Sequence, residues 1–160
     1  MKLKILALAL LILTMPAFVY AWSARVVFVQ DGDIIAVEPI DGGDRVRVRL
    51  WGIDCPEFDQ HYGSRARSYV TDLTLDKIVV IEDKDKDRYG RTVAIIKLDN
   101  GEILQQLLLK DGLAWVYRGF CQECDSWIAL EIDARELKQG LWKDDNPIPP
   151  WEWESKKVLE

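Results

Sequence analysis

One histidine, three cysteines and fewer basic than acidic residues set the first limits on what this 160-residue chain can do. The lone His61 sits in a polar stretch with no evident partner to orient it, so a histidine general base is disfavoured and a solvent-facing side chain is expected. Three cysteines leave one over after pairing. Cys121 and Cys124 form a C-x-x-C without the βαβ surroundings of a thioredoxin-like redox centre. A zinc site drawn from Cys55, Cys121, Cys124 and His61 would lack knuckle spacing. That leaves a Cys121–Cys124 disulfide as the preferred reading, free thiols as the alternative, and Cys55 as a buried thiol. Lysine and arginine number 21 against 27 aspartate and glutamate, a net charge of −6. Such a balance argues against broad non-specific affinity for nucleic acid, because phosphate contacts draw on Lys and Arg. It does not exclude a local site, where a cation and a few arginines set the field.

Long apolar runs are also scarce. The one present follows Met1-Lys2-Leu3-Lys4, extends from Ile5 to Val19 and meets small residues at Ala21. It is short for a membrane span and contains Pro16, so it reads as a signal peptide over 1–21, cleaved to leave Trp22 first. An exported protein, periplasmic or extracellular and free of the membrane after cleavage, is expected; a retained anchor is the alternative. Export favours the Cys121–Cys124 disulfide. With 49% apolar residues, what remains suits one domain over 22–143, followed by a tail over 144–160 rich in Pro and Trp. The prolines make that tail a poor helix at its start.

The richest stretch is 31–57. It opens with Asp31-Gly32-Asp33 and closes with Arg49-Leu50-Trp51-Gly52-Ile53-Asp54-Cys55-Pro56-Glu57. Between them, Ile34 to Glu38 and Val46 to Leu50 read as two strands joined by Asp41-Gly42-Gly43-Asp44. A hairpin would bring Asp31 and Asp33 close to Asp54 and Glu57. Four crowded carboxylates are costly unless protons or a cation relieve them, and an oxygen-only group favours Ca²⁺ or Mg²⁺. Arg49 adds a fixed positive charge suited to bidentate phosphate binding. Pro56 biases Cys55 away from the helical region and so helps direct its carbonyl.

Elsewhere, Val26 to Val29, Lys77 to Ile81 and Thr92 to Leu98 read as strands, and Ala114 to Tyr117 as an extended segment. Helical spacing places Ala66, Tyr69, Val70 and Leu73 on one helix and Ile103, Leu104, Leu107 and Leu108 on a second. A third carries a core-facing stripe of Trp127, Leu130, Ala134 and Leu137 and stops at Gly140. Asp83-x-Asp85-x-Asp87 has the opening of an EF-hand loop, but Arg88 stands where Gly is required and Ala94 where Glu is, so it is a solvated hairpin tip. Interleaved strands and helices with antiparallel pairing give α+β with a small closed barrel, of a type that the pattern leaves open.

The 31–57 stretch, with Asp87-Arg88-Tyr89-Gly90-Arg91 and Gly112-Leu113-Ala114-Trp115-Val116-Tyr117 after it, resembles the staphylococcal nuclease (thermonuclease) family from about Arg25 to about Trp142. The resemblance implies an OB-type five-stranded antiparallel β-barrel with three α-helices. It also implies a Ca²⁺-dependent nuclease that acts on single-stranded or flexible DNA and RNA and leaves 3′-phosphate ends, as a monomer. Residue by residue, it assigns metal binding to Asp33, Asp54 and the Cys55 backbone carbonyl, with Asp31 behind them. Arg49 and Arg91 would hold the phosphate, Glu57 would position or activate water, and Arg88, Tyr89 and Tyr117 would contact substrate. Ile34 stands where the family usually has Thr, and Cys55 where it has Thr or Ala. The rival classes are a non-catalytic nucleic-acid- or protein-binding module on the same barrel and an exported structural domain with a protein-interaction surface.

Overall fold

The computed structural model describes residues 20–119, 121 and 124–157. The apolar run Ile5 to Val19, read as part of a signal peptide over 1–21, lies outside the described residues.

Five strands close into a barrel: β1 (Ala21–Asp31), β2 (Ile34–Pro39), β3 (Val46–Leu50), β5 (Ile78–Lys86) and β6 (Thr92–Lys97), ordered β1-β2-β3-β6-β5 with β5 returning to β1. Alternation directs Val48 and Leu50 of β3 inward and leaves Arg47 and Arg49 on the outer wall. Ala24, Val26, Ile35, Val37, Val79, Ile81, Ala94 and Ile96 complete the interior. Four of the five pairings are antiparallel, as expected, but β3 and β6 run parallel. That corrects the all-antiparallel barrel. A β3-to-β6 connection spans residues 51–91 and includes a helix, and a crossover of that kind delivers a strand in the parallel sense.

The elements outside the barrel pin its open end. β4 (Ile53–Asp54) pairs with β7 (Trp115–Val116), setting Asp54 opposite Trp115. Helix α1 (Gly63–Thr74) buries Ala66 and Val70 against β1. Helix α2 (Leu104–Lys110) buries Leu104, Leu108 and Leu109, and its fully buried Gln105 donates to the Ala94 carbonyl and accepts from the Ile96 amide of β6. Helix α3 (Asp125–Glu136) turns Trp127 and Ala134 inward, but Leu137 is 70% exposed. The expected stripe fails there because the helix ends at Glu136, and a short 3₁₀ turn over Gly140–Lys143 follows. Glu131 takes an inward place instead. Its carboxylate accepts the Val116 amide of β7 at 2.6 Å and pairs with Arg135, so a buried charge is matched on both oxygens.

The tail is non-helical at its start, as expected, but Pro150–Lys157 forms a helix, α4, so the described residues hold four α-helices rather than three. Proline at the first helical position costs nothing, because the amide it lacks would have no partner there. Cys121 and Cys124 are joined as a disulfide with Cα atoms 5.4 Å apart, and Cys55 is free and buried.

Candidate active site

The hairpin of β2 and β3 pairs Ile34 with Arg49, so the residue just before β2, Asp33, lies beside the end of β3. The Leu50 amide donates to the Asp33 carbonyl at 2.8 Å and locks that junction. A register shift in β1 between Val29 and Asp31 re-aims the chain as it enters the Asp31-Gly32-Asp33 turn. Gly32 is required by close approach: a Cβ there would stand 2.8 Å from the Cβ atoms of both Ala66 and Cys55. The glycine lets α1 and the Cys55 segment close over the turn, and the pairing of β4 with β7 then brings Asp54 in from the other side.

Arg49 lies across the two aspartates. Its Nη1 is 3.2 Å from Asp33 Oδ2 and its Nη2 is 2.6 Å from Asp54 Oδ1, while the Cys55 amide donates to Asp33 Oδ2 at 3.4 Å. Both carboxylates are buried, at 3% and 8% exposure. Burial pushes the Asp33 carboxyl upward against the lowering effect of Arg49. Burial, then the neighbouring Asp33, pushes Asp54 up to about 7. Glu57, half-buried, is also pushed up to about 7, by burial first and then by Asp33, Glu154 and Asp31. The Cys55 thiol is held far above its usual range by burial and by the same carboxylates, which leaves it unreactive at neutral pH.

One guanidinium therefore faces several acids. Among the described residues no cluster of three or more His, Cys, Asp or Glu side chains forms a ready-made metal cage. What is present is a pair of buried carboxylates that raise each other's burden of negative charge and share one arginine as their neutralising cation. Oxygen donors in a partly neutralised cleft fit a hard divalent ion that keeps several waters or phosphate oxygens of its own.

The burden of the unrelieved charge is measurable. An acid whose folded pKa is raised stabilises the fold fully below its unfolded value, here the ordinary 3.8, and loses that contribution as pH rises through about 7. In excess chelator, wild type should therefore lose stability relative to Asp54→Asn between about pH 4 and pH 8, by about 4 kcal/mol at most, read from denaturant unfolding. A difference that stays flat with pH would mean that Asp54 is not the strained carboxylate.

Arg49 pairs in register with Val93, so Arg91, two residues earlier in the chain, belongs to the same outer face. Arg91 bonds Asp87 through Nε at 2.5 Å, and Asp87 also accepts the amides of Tyr89 and Arg91. Those bonds explain the Asp-rich tip as a device that shapes the turn. Arg88, Tyr89 and Tyr117 meet Trp51, Gly52 and Val93 around a cleft of about 480 Å³. Tyr89 is 66% exposed, with Arg88 and Arg91 stacked on its ring at 4.8 and 5.3 Å. Trp51 was legible as part of a motif but not as a wall of this cleft, which only its packing on Trp127 at 5.4 Å creates. His61 is largely exposed and its Nδ1 lies 2.7 Å from the Asp144 carboxylate. Glu154, from α4, is the contributor that nothing in the sequence pattern signalled.

Comparison with known proteins places this arrangement. Residues 47–144 match the family model described as staphylococcal nuclease homologue. The chain is 36% identical over 155 residues to a protein named as an uncharacterized endonuclease from Escherichia coli O157:H7, covering 96% of this chain and 99% of that one. It is 35% identical over 156 residues to a micrococcal nuclease from Shigella flexneri, covering 92% and 88%. A further endonuclease, from Haemophilus influenzae, is 33% identical over 137 residues, covering 86% of this chain and 75% of its own. With that barrel, these matches and the Arg49-bridged aspartate pair at the open end, the chain belongs to the staphylococcal nuclease family.

Proposed function

We propose that the protein is a Ca²⁺-dependent nuclease that hydrolyses phosphodiester bonds of single-stranded or flexible DNA and RNA to 3′-phosphate and 5′-hydroxyl ends. The observation that carries this reading is the buried Asp33–Asp54 pair spanned by Arg49, with Glu57 raised to about 7 beside it.

Asp33, Asp54 and the Cys55 backbone carbonyl would hold the cation. When bound, it supplies positive charge to a phosphate oxygen and relieves the crowded carboxylates. Arg49 carries five N–H donors, of which the contacts to Asp33 and Asp54 occupy two, so the fork can meet a phosphate without abandoning both acids. Arg91 approaches from the same wall. Glu57, with a pKa near neutral, accepts a proton from a water molecule as its oxygen bonds to phosphorus. The bond from phosphorus to the 5′ oxygen breaks, and the proton passes on to that leaving oxygen. Negative charge accumulates on the phosphorus oxygens in between, where fixed donors stabilise it most. Tyr89, Tyr117 and Arg88 would receive the adjoining nucleotide, since an aromatic face takes any base without reading its sequence.

The acidic surface does not oppose turnover, because tight ground-state binding does not accelerate the chemical step. Purified protein incubated with single-stranded DNA should cut it in Ca²⁺, stop in excess chelator and resume when Ca²⁺ is restored. The products should shift in gel mobility when their 3′-phosphates are removed by phosphatase. Undiminished cutting in chelator would reject the cation; no cutting under any condition would make the barrel a binding module.

A further inference from the structure

The family match ends at residue 144, yet the chain beyond it is built into the site. Gln60 is the junction. It is 7% exposed, and its side chain reaches in two directions: Oε1 accepts the Glu57 amide at 3.2 Å, and Nε2 donates to the Ile148 carbonyl at 2.6 Å, 88 residues away. Its own amide donates to the Glu57 carbonyl at 2.8 Å, and its carbonyl accepts the Gly63 amide at 2.9 Å. Gly63 is pressed against the same loop so closely that a Cβ would stand 1.7 Å from the Glu57 carbonyl oxygen. Helix α4 adds two further ties: Lys157 forms an ion pair with Asp59, and Trp151 lies 5.8 Å from the ring of Tyr117. Glu154 of the same helix faces Glu57 closely enough to help raise its pKa.

The 57–60 loop thus has two supports, one from the start of α1 and one from the C-terminal segment. A four-residue span at the mouth of a barrel, with its one apolar side chain, Phe58, turned to solvent, has little buried apolar area of its own to hold it, so its order depends on these bonds. We infer that the segment from Ile148 to Lys157 is a positioning strap for the catalytic loop, with Gln60 as the residue that couples strap to loop and so holds Glu57 at its working distance. Gln60 touches no reacting atom. It acts through Glu57, and the inference rests on the role given to Glu57 above.

Gln60→Glu in the full-length chain is the diagnostic variant. It keeps an oxygen for the Glu57 amide but cannot donate to the Ile148 carbonyl when ionised, which severs the strap and spares the loop's internal bond. Amide hydrogen exchange at Glu57, Gln60 and Gly63 should accelerate about tenfold, while amides of the barrel strands exchange at wild-type rates. On single-stranded DNA, kcat should fall about 10- to 10²-fold with KM within about twofold, because misplacing a group costs the chemical step and not the binding of nucleotide. Lys157→Glu, which leaves Gln60 intact and opposes Asp59 on the surface, should give the same pattern at about two- to fivefold, and it covers the case in which the Gln60 variant fails to fold. Unchanged exchange at the three loop amides in a folded variant, or a rise in KM with kcat unmoved, would overturn the strap. If wild type itself does not cut, the nuclease reading fails and the exchange data still decide the strap.

Discussion

Glu57→Gln is expected to lower turnover on single-stranded DNA by about 10²- to 10⁴-fold, the range in which removal of a positioned general base falls. The substitution keeps the size of the side chain and its hydrogen-bonding oxygen, and it removes the group that burial, Asp33, Glu154 and Asp31 together raise to about 7. Wild type should show kcat/KM rising with pH until Glu57 is ionised, below about 7 once a bound cation offsets the charges of Asp33 and Asp31, because only the ionised carboxylate accepts a proton; that limb should be absent in the variant. A displaced cation could give a similar loss of rate, so Ca²⁺ affinity measured by calorimetry on the folded variant separates the two. Wild-type turnover from folded Glu57→Gln protein would remove Glu57 from the mechanism.

Arg49→Lys should cost about 10²- to 10³-fold in kcat with a much smaller change in KM, the signature of a donor that matters most in the transition state. The geometry sharpens this. Arg49 reaches Asp33 with one terminal nitrogen and Asp54 with the other, and a lysine ammonium retains the charge without a planar fork that spans both. The variant should therefore also unfold more readily in chelator, since a second buried carboxylate is left without a partner. Circular dichroism confirms folding before rates are compared. Equal rates for the folded lysine variant and wild type would show that charge alone suffices and that the fork has no role.

The site was legible in the sequence to an unequal degree. Asp33, Arg49, Asp54 and Glu57 all lie within 25 residues, and turn chemistry with period-two alternation is enough to bring the ends of one hairpin together. Arg91 and Tyr89 required the motif, because nothing local says that a Gly-Arg after a charged tip faces the wall that carries Arg49. Glu131 was hidden because an acid on a helix face reads as solvent-facing until the unpaired edge amide of β7 is placed beside it. Leu137 was misplaced for the opposite reason: its spacing is helical, but the helix ends one residue before it.

By itself the sequence determined the barrel strands, the hairpin turn and the concentration of carboxylates around one arginine. Those features depend on alternation, turn residues and charge within short spans, where chain connectivity already limits the outcome. Tertiary structure alone decided the parallel closure of β3 against β6, the aromatic cleft shared by Trp51, Tyr89 and Tyr117, and the contact of the C-terminal helix with Glu57. Each joins groups tens of residues apart, and such contacts are set by the packing of the closed barrel and the burial of its caps, which no local pattern encodes.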